Sequence, residues 1–167
     1  MAKGLTSGYI PLGAVTVSQK IADHFNDNVL WCGLTYSSHT LACATAIANI
    51  EVLQKEKLVE KSKVMGEYLS QKLNELKDRY SCIGEIRGTG LFQIIEIVRD
   101  QETREPMSDF NQPLTKEMAT VASKLKELGL STFVRWNWIF CTPPLIITKE
   151  QIDEGVEIIE TAIKKIC

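Results

Sequence analysis

The sequence predicts an α/β fold of the α+β type in residues 58 to 167, and three observations predict it. Apolar residues recur at three- and four-residue spacings in some segments and alternate at period two in others. Their order is helix, strand, strand, helix, strands, helix, which suits helices on one face of a small, mostly antiparallel sheet. The first long helix is expected over about Leu58 to Arg79, where Leu58, Met65, Leu69, Leu73 and Leu76 form the apolar stripe. Cys82 to Ile86 and Leu91 to Val98 follow as strands, with Arg87-Gly88-Thr89-Gly90 between them. Residues 99 to 114 are polar, carry Pro106 and Pro113, and read as an excursion over the surface. A helix from about Thr115 to Leu128 ends at Gly129, a residue suited to close it. Leu130 to Arg135 and Trp138 to Thr142 are two extended segments joined by a tight turn at Trp136-Asn137, and Pro143-Pro144 stops them. Thr148-Lys149-Glu150-Gln151 is a capping box, after which Ile152, Val156, Ile159, Ile163 and Ile166 stripe a last helix that runs to the C-terminus.

Residues 1 to 57 have a different texture. Gly4, Gly8, Pro11 and Gly13 punctuate the start, Ala14 to Val17 reads as a short strand, and Ser18 is placed to cap a helix through about His24. After a loop from Leu30 to Ser38, a helix to about Lys55 carries the small residues Ala42, Cys43, Ala44, Ala46 and Ala48, which allow close approach of another backbone. One short strand and two loops hardly enclose a core, so residues 1 to 57 are expected to be an incomplete part of something larger.

At 167 residues, 44% hydrophobic and 24% charged, the chain is an ordinary soluble globular protein. A net charge of -2 without any basic block excludes nucleic acid as an expected partner. No apolar stretch reaches the ~18 to 20 residues that span a bilayer, and Met1 to Gly4 lead into no signal-peptide core, so no membrane is expected and the location expected is cytoplasmic. Cys32, Cys43, Cys82, Cys141 and Cys167 are odd in number and scattered, and they read as reduced thiols with no metal site among them.

Three places have residues that carry chemistry. Lys3 sits before a glycine-rich loop, where its amine is either a solvated surface charge or, in a partly dry site, a nucleophile for an aldehyde. Gly33 to His39 puts Thr35, Ser37 and Ser38 before a helix N-terminus; the hydroxyls either cap the helix or, with its free N–H groups, hold a phosphate. Arg135 ends an apolar strand between aromatic residues, as a strand-edge residue or as a fork for a carboxylate or sulfonate. Arg87 reads as an ion-paired turn residue, since no nucleotide fingerprint surrounds it.

Four segments, in order, resemble the C-terminal portion of the class III aminotransferases, pyridoxal-phosphate-dependent enzymes of fold type I. They are Ala2 to Ala14, Gly33 to His39, Ile86 to Phe92 with Ile95-Glu96, and Pro143 to Thr148 with Ile152-Asp153. Within that family, Thr132 to Trp138 before Pro143-Pro144, with Thr103 to Pro106, looks most similar to taurine:pyruvate aminotransferases. The loop departs from the common pattern, which has glycine or alanine at Ser38 and proline at Thr40.

The resemblance implies that Lys3 is the catalytic and cofactor-binding lysine, linked to the cofactor as an imine and moving a proton between the substrate Cα and C4′ of the cofactor. It implies that Thr35 reaches across a homodimer interface to the cofactor phosphate of the neighbouring subunit, and that Arg135 grips the substrate's acid group. The substrates it implies are an amine or amino acid and a keto acid such as pyruvate. It makes residues 1 to 57 the C-terminal tail of the large cofactor-binding domain and 58 to 167 the small domain. The acidic partner of the pyridine nitrogen, the glycine-rich phosphate cup and the aromatic stacked on the ring match nothing here and are expected upstream, in a separate N-terminal half or a longer chain. The 167 residues alone are therefore expected to hold pyridoxal phosphate weakly and not to transaminate, with residues 1 to 57 departing from the parent arrangement. A non-catalytic association module, or an aminomutase or decarboxylase of the same fold, is the alternative.

Overall fold

The computed structural model describes residues 1–167, and these divide into two compact units, Met1–Lys57 and Leu58–Cys167.

The second unit is built on a four-stranded antiparallel sheet of order β1-β2-β4-β3, with β1 at Ile83–Thr89, β2 at Phe92–Ile97, β3 at Val134–Arg135 and β4 at Trp138–Cys141. Period two sorts its side chains. Gln93, Ile95 and Ile97 of β2 and Ile139 and Cys141 of β4 are buried, while Phe92, Ile94, Glu96, Trp138 and Phe140 stand on the other face. Against the inner face lie the three helices of the unit, at Leu58–Arg79, Lys116–Glu127 and Lys149–Ile163, numbered α3, α4 and α5 because two helices precede them. Leu69, Leu73 and Leu76 of α3, Met118 and Val121 of α4, and Ile152, Ile159 and Ile163 of α5 join the strand residues in one core.

The expected ends hold. The Met118 N–H donates to the Thr115 hydroxyl at the start of α4, and the full capping box forms at Thr148 and Gln151. At the close of α4, Gly129 has φ 89°, its N–H donates to the Lys126 carbonyl, and the Leu130 N–H reaches back to Leu125. That paired Schellman arrangement needs the left-handed backbone that glycine adopts without strain. The last helix ends at Ile163 and a turn finishes the chain, because Cys167 is held elsewhere.

Two glycines let α3 sit on the β1–β2 hairpin. A Cβ on Gly66 would fall 2.1 Å from the Gly90 carbonyl carbon, and one on Gly90, whose φ is 52°, would meet the Ser62 hydroxyl at 2.9 Å. Gly155 of α5 has nothing within 4 Å of its own Cβ position. The excursion at 99–114 is tied down rather than loose: the Arg99 N–H donates to Glu105, Thr115 donates its hydroxyl proton to Met107, and Ser108 is buried with a hydrogen bond to Pro113.

The first unit has no strand. Ala14 to Val17, expected as one, is extended but unpaired, and Val15 and Val17 are exposed. A strand needs a ladder partner, and within this unit only Met1 bonds to that stretch, through Ala14. Helix α1 spans Gln19–Asp27 with Ser18 at its N-cap position but no side-chain bond from it, and α2 spans Thr40–Lys55. Only Ala42 and Ala46 of α2 are buried, and Leu41, Ile47, Ile50 and Val52 are open to solvent.

The cysteines need correction. The structure joins Cys82 to Cys167 with Cα atoms 5.3 Å apart, so two of the five residues read as reduced thiols form a disulfide between the start of β1 and the chain end. The free ones differ in environment: Cys32 is exposed, Cys43 partly buried, and Cys141 buried, where desolvation pushes its thiol up to about 12.

Two measurements follow from this architecture. Gly66→Ala forces α3 away from the hairpin and is expected to lower unfolding stability by about 1–3 kcal/mol, whereas Gly155→Ala is expected to raise it by about 0.5–1 kcal/mol; denaturant titration of both reads the contrast. Iodoacetamide at mildly alkaline pH is expected to label Cys32 in the native chain and Cys141 only after unfolding, as peptide mass mapping reports.

Candidate active site

Lys3 opens a short 3-10 turn, Lys3–Thr6, and takes a left-handed backbone of φ 51° that a lysine adopts only under strain. Three bonds hold it there. The Asn49 amide on α2 donates to the Gly4 carbonyl at 2.9 Å and the Leu5 carbonyl at 3.1 Å, and the buried Thr6 hydroxyl donates to Ile10 at 2.6 Å. The Lys3 amine itself makes no ion pair or hydrogen bond in the chain and is exposed. A helix side chain therefore fixes the backbone of the turn while the amine stays free.

Thr35 lies in the tight turns before α2. The Ser37 N–H donates to Leu34 at 2.9 Å, and the Ser37 hydroxyl accepts from the Leu34 N–H at 3.2 Å. Neither Ser37 nor Ser38 caps the helix, contrary to the simpler reading of this loop: the N-cap is His39, with no side-chain cap bond. Ser37 is spent within the turn, and Ser38 has φ 57°. The first N–H groups of α2 are thus left without a side-chain partner, and the Thr35 hydroxyl is likewise unbonded. An uncapped helix start beside a free hydroxyl has the donor set a phosphate needs, and a free amine on an anchored turn has the chemistry an aldehyde needs, so these residues fit pyridoxal phosphate.

Ser38 and Thr40, where the loop departs from its usual pattern, stand at positions that suit the common residues. Ser38 occupies a left-handed position that glycine takes without strain, and Thr40 is the first residue of α2, where proline is favoured.

Arg135 belongs to the second unit, at the end of β3 opposite Trp138. The chain has five arginines, and four of them meet carboxylates: Arg79 with Glu160, Arg87 with Glu96 at 2.9 Å, Arg99 with Glu105 and Glu117, and Arg104 with Glu85. Arg135 has no such partner. Its guanidinium carbon lies 4.2 Å from the centroid of the Trp136 ring. Arg87 is ion-paired as read, though on strand β1 rather than in the turn.

A groove of the second unit, about 950 Å³, is lined by residues such as Leu130, Phe133, Phe140, Pro144 and Ile147 and touches none of Lys3, Thr35 or Arg135. Sequence reading missed Asn49, which looked like one polar residue on a helix of small ones, and Phe110, which lies in the surface excursion and packs on Trp136 at 4.3 Å. Only a fold places either of them.

Comparisons with known proteins address the whole chain. The family model described as Aminotransferase class-III matches residues 1–163. The crystal structure of a taurine:2-oxoglutarate aminotransferase from Bifidobacterium kashiwanohense, in complex with PLP and glutamate, superposes with a TM-score of 0.92 at 42% identity, covering 99% of this chain and 37% of that one. Putrescine--pyruvate aminotransferase of Pseudomonas aeruginosa is 36% identical over 156 residues, which are 92% of this chain and 33% of the relative. Ethanolamine-phosphate phospho-lyase homolog 1 of Caenorhabditis elegans is 35% identical over 93% of this chain and 32% of its own length. This chain thus spans about a third of the length of such relatives. The match to the taurine enzyme includes residues 1 to 57, which counts against the expectation that they depart from the family's arrangement. By the span of the family match and these identities, the chain belongs to the class III aminotransferase family.

Proposed function

We propose that these 167 residues are the C-terminal portion of a pyridoxal-phosphate-dependent aminotransferase that moves an amino group from an amine or amino acid, with taurine as a candidate donor, to a keto acid such as pyruvate. The observation that carries this reading is Lys3, free at its amine and strained at its backbone in a turn that Asn49 anchors. A strained residue persists where the surroundings over-determine it, and such residues gather at sites of chemistry.

When bound, pyridoxal phosphate supplies an electron sink that stabilises negative charge on the substrate's amino carbon. Lys3 binds it covalently through its amine and takes and returns the proton at the substrate Cα. Thr35 and the uncapped N–H groups of α2 hold phosphate, in the homodimer that the resemblance implies, and Arg135 orients the substrate through its acid group. Residues 1 to 57 form the tail of the large domain and 58 to 167 the small domain, in the cytoplasm. The exposed apolar residues of the first unit, Tyr9, Val15 and Trp31 among them, support its being part of a larger body. The acidic partner of the ring nitrogen and the phosphate cup have no counterpart in residues 1–167, so these residues by themselves bind the cofactor weakly and do not transaminate. The likeness to a phospho-lyase homologue keeps a second reading in view, elimination on the same fold.

The chain is to be tested together with the upstream part that its relatives have. Borohydride treatment with pyridoxal phosphate is expected to bleach the visible band and leave a stable, near-ultraviolet-absorbing pyridoxyl label on the peptide holding Lys3, and Lys3→Ala to abolish both the label and the conversion of pyruvate to alanine with taurine as donor. A label on another peptide, or one that survives in Lys3→Ala, refutes the assignment. Phosphate release from an amino-alcohol phosphate without alanine formation selects elimination.

A further inference from the structure

The turn that follows Arg135 is built at a cost. Trp136 and Asn137 form a two-residue connection between β3 and β4, and Trp136 takes φ 55°, a left-handed conformation that glycine occupies freely and a bulky aromatic residue rarely does. The turn is also pinned: the Asn137 amide donates to the Ile97 carbonyl at 3.1 Å, and the Asn137 carbonyl accepts from the Ile97 N–H at 2.7 Å. Asn137 is buried, so the strained residue hangs from a fixed point at the end of β2. Trp136 is then wedged between two rings, Phe110 at 4.3 Å and Trp138 at 4.9 Å, edge-on to the latter. The guanidinium of Arg135 lies over its ring at 4.2 Å.

Each part bears on the next. A guanidinium stacked on an indole face uses its π face and leaves its in-plane N–H donors available. Arg135 spends none of them on a carboxylate of this chain, in contrast to the other four arginines. We propose that Trp136 is a positioning residue, which holds the Arg135 fork open for the acid group, carboxylate or sulfonate, of the amino donor or keto acid. Phe110 and Trp138 keep the indole still, and Asn137 keeps the turn in place. The inference rests on the reading of Arg135 as the acid contact and adds that an aromatic face at 136 determines how well an acid is recognised.

The test uses the chain together with the upstream part that its relatives have, loaded with pyridoxal phosphate, and reads the stack and turn within the second unit. Trp136→Gly suits the backbone, since φ 55° is glycine territory, and Trp136→Phe keeps a ring. Side-chain NMR of Arg135 is expected to show ring-current displacement in the wild type and Trp136→Phe, and none in Trp136→Gly. Titration with ethanesulfonate and with propionate is expected to move the Arg135 Nε–H resonance, propanol to leave it still, and Trp136→Gly to weaken acid binding by about three- to tenfold while Trp136→Phe stays near wild type. The stronger of the two anions names the acid class. Wild-type affinity in Trp136→Gly, or equal loss in Trp136→Phe, overturns the proposal. Abolition of binding by Arg135→Gln in that case leaves the Arg135 reading standing. Where the acids shift nothing that propanol does not, or where Arg135→Gln binds them as wild type does, both fall.

Discussion

The second unit hangs on a place where two backbones meet with no side chain between them. Gly66 of α3 faces Gly90 of the β1–β2 hairpin so closely that a methyl group on Gly66 would overlap the hairpin's main chain. That approach seats Leu69, Leu73 and Leu76, about one, two and three turns further along α3, on the inner face of the sheet. With α3 seated, Ile95 and Ile97 of β2 face inward, and pairing with β4 in the register Ile95 to Ile139 sets Ile139 and Cys141 inward too. A slip of one residue would bury Glu96 and expose Ile95, so the register is held by the energy of that core. The Trp136 turn is the next consequence, since its anchor is the Ile97 backbone.

The first unit depends on a different device. Asn49 is a helix residue whose amide reaches two carbonyls of the turn after Lys3, and the buried Thr6 hydroxyl closes the same turn from the other side. These bonds hold the main chain beside the lysine and leave its side chain alone. The turn is thus fixed at its backbone and free at its amine. Much of the surrounding surface is apolar and open, with Trp31 93% exposed. Such surface is costly in water.

Much of this was legible in the residues. The stripe from Leu58 to Leu76, the capping box at Thr148 and the closing glycine at 129 each follow from one local rule, and local rules survive where tertiary contacts agree with them. Ala14 to Val17 failed because its alternating pattern says how a strand would face but supplies no partner strand. Ser37 and Ser38 failed as caps because both had local alternatives, one a hydrogen bond to Leu34 and the other a left-handed turn, and short polar residues compete with the helix in that way. The Cys82–Cys167 bond was out of reach: a separation of 85 residues holds no information about proximity until the sheet and α5 bring both ends together. Lys3, Thr35 and Arg135 stand out by residue type and take their expected roles from motif resemblance, and none of their supports is legible, since Asn49 and Phe110 are distant in sequence from what they hold.

The outer face of the sheet shows why Arg135 differs from its neighbours. Glu85, Arg87 and Glu96 stand together there, with Arg87 bonded to Glu96 at 2.9 Å and Arg104 reaching Glu85 from the excursion. These pairs are largely exposed and contribute little to stability, but they neutralise one another at the β1 edge. Glu96 sits across from Trp138, and Trp138 across from Arg135, so the nearest carboxylate along that row is already engaged by Arg87. The far edge, at β3, offers rings instead: Phe110, Trp136, Trp138 and Phe140 form one continuous aromatic surface. An arginine placed at that edge finds an indole and no acid within the chain. Its guanidinium is therefore held by an aromatic face and by no counter-charge of this chain, unlike the four arginines paired with carboxylates.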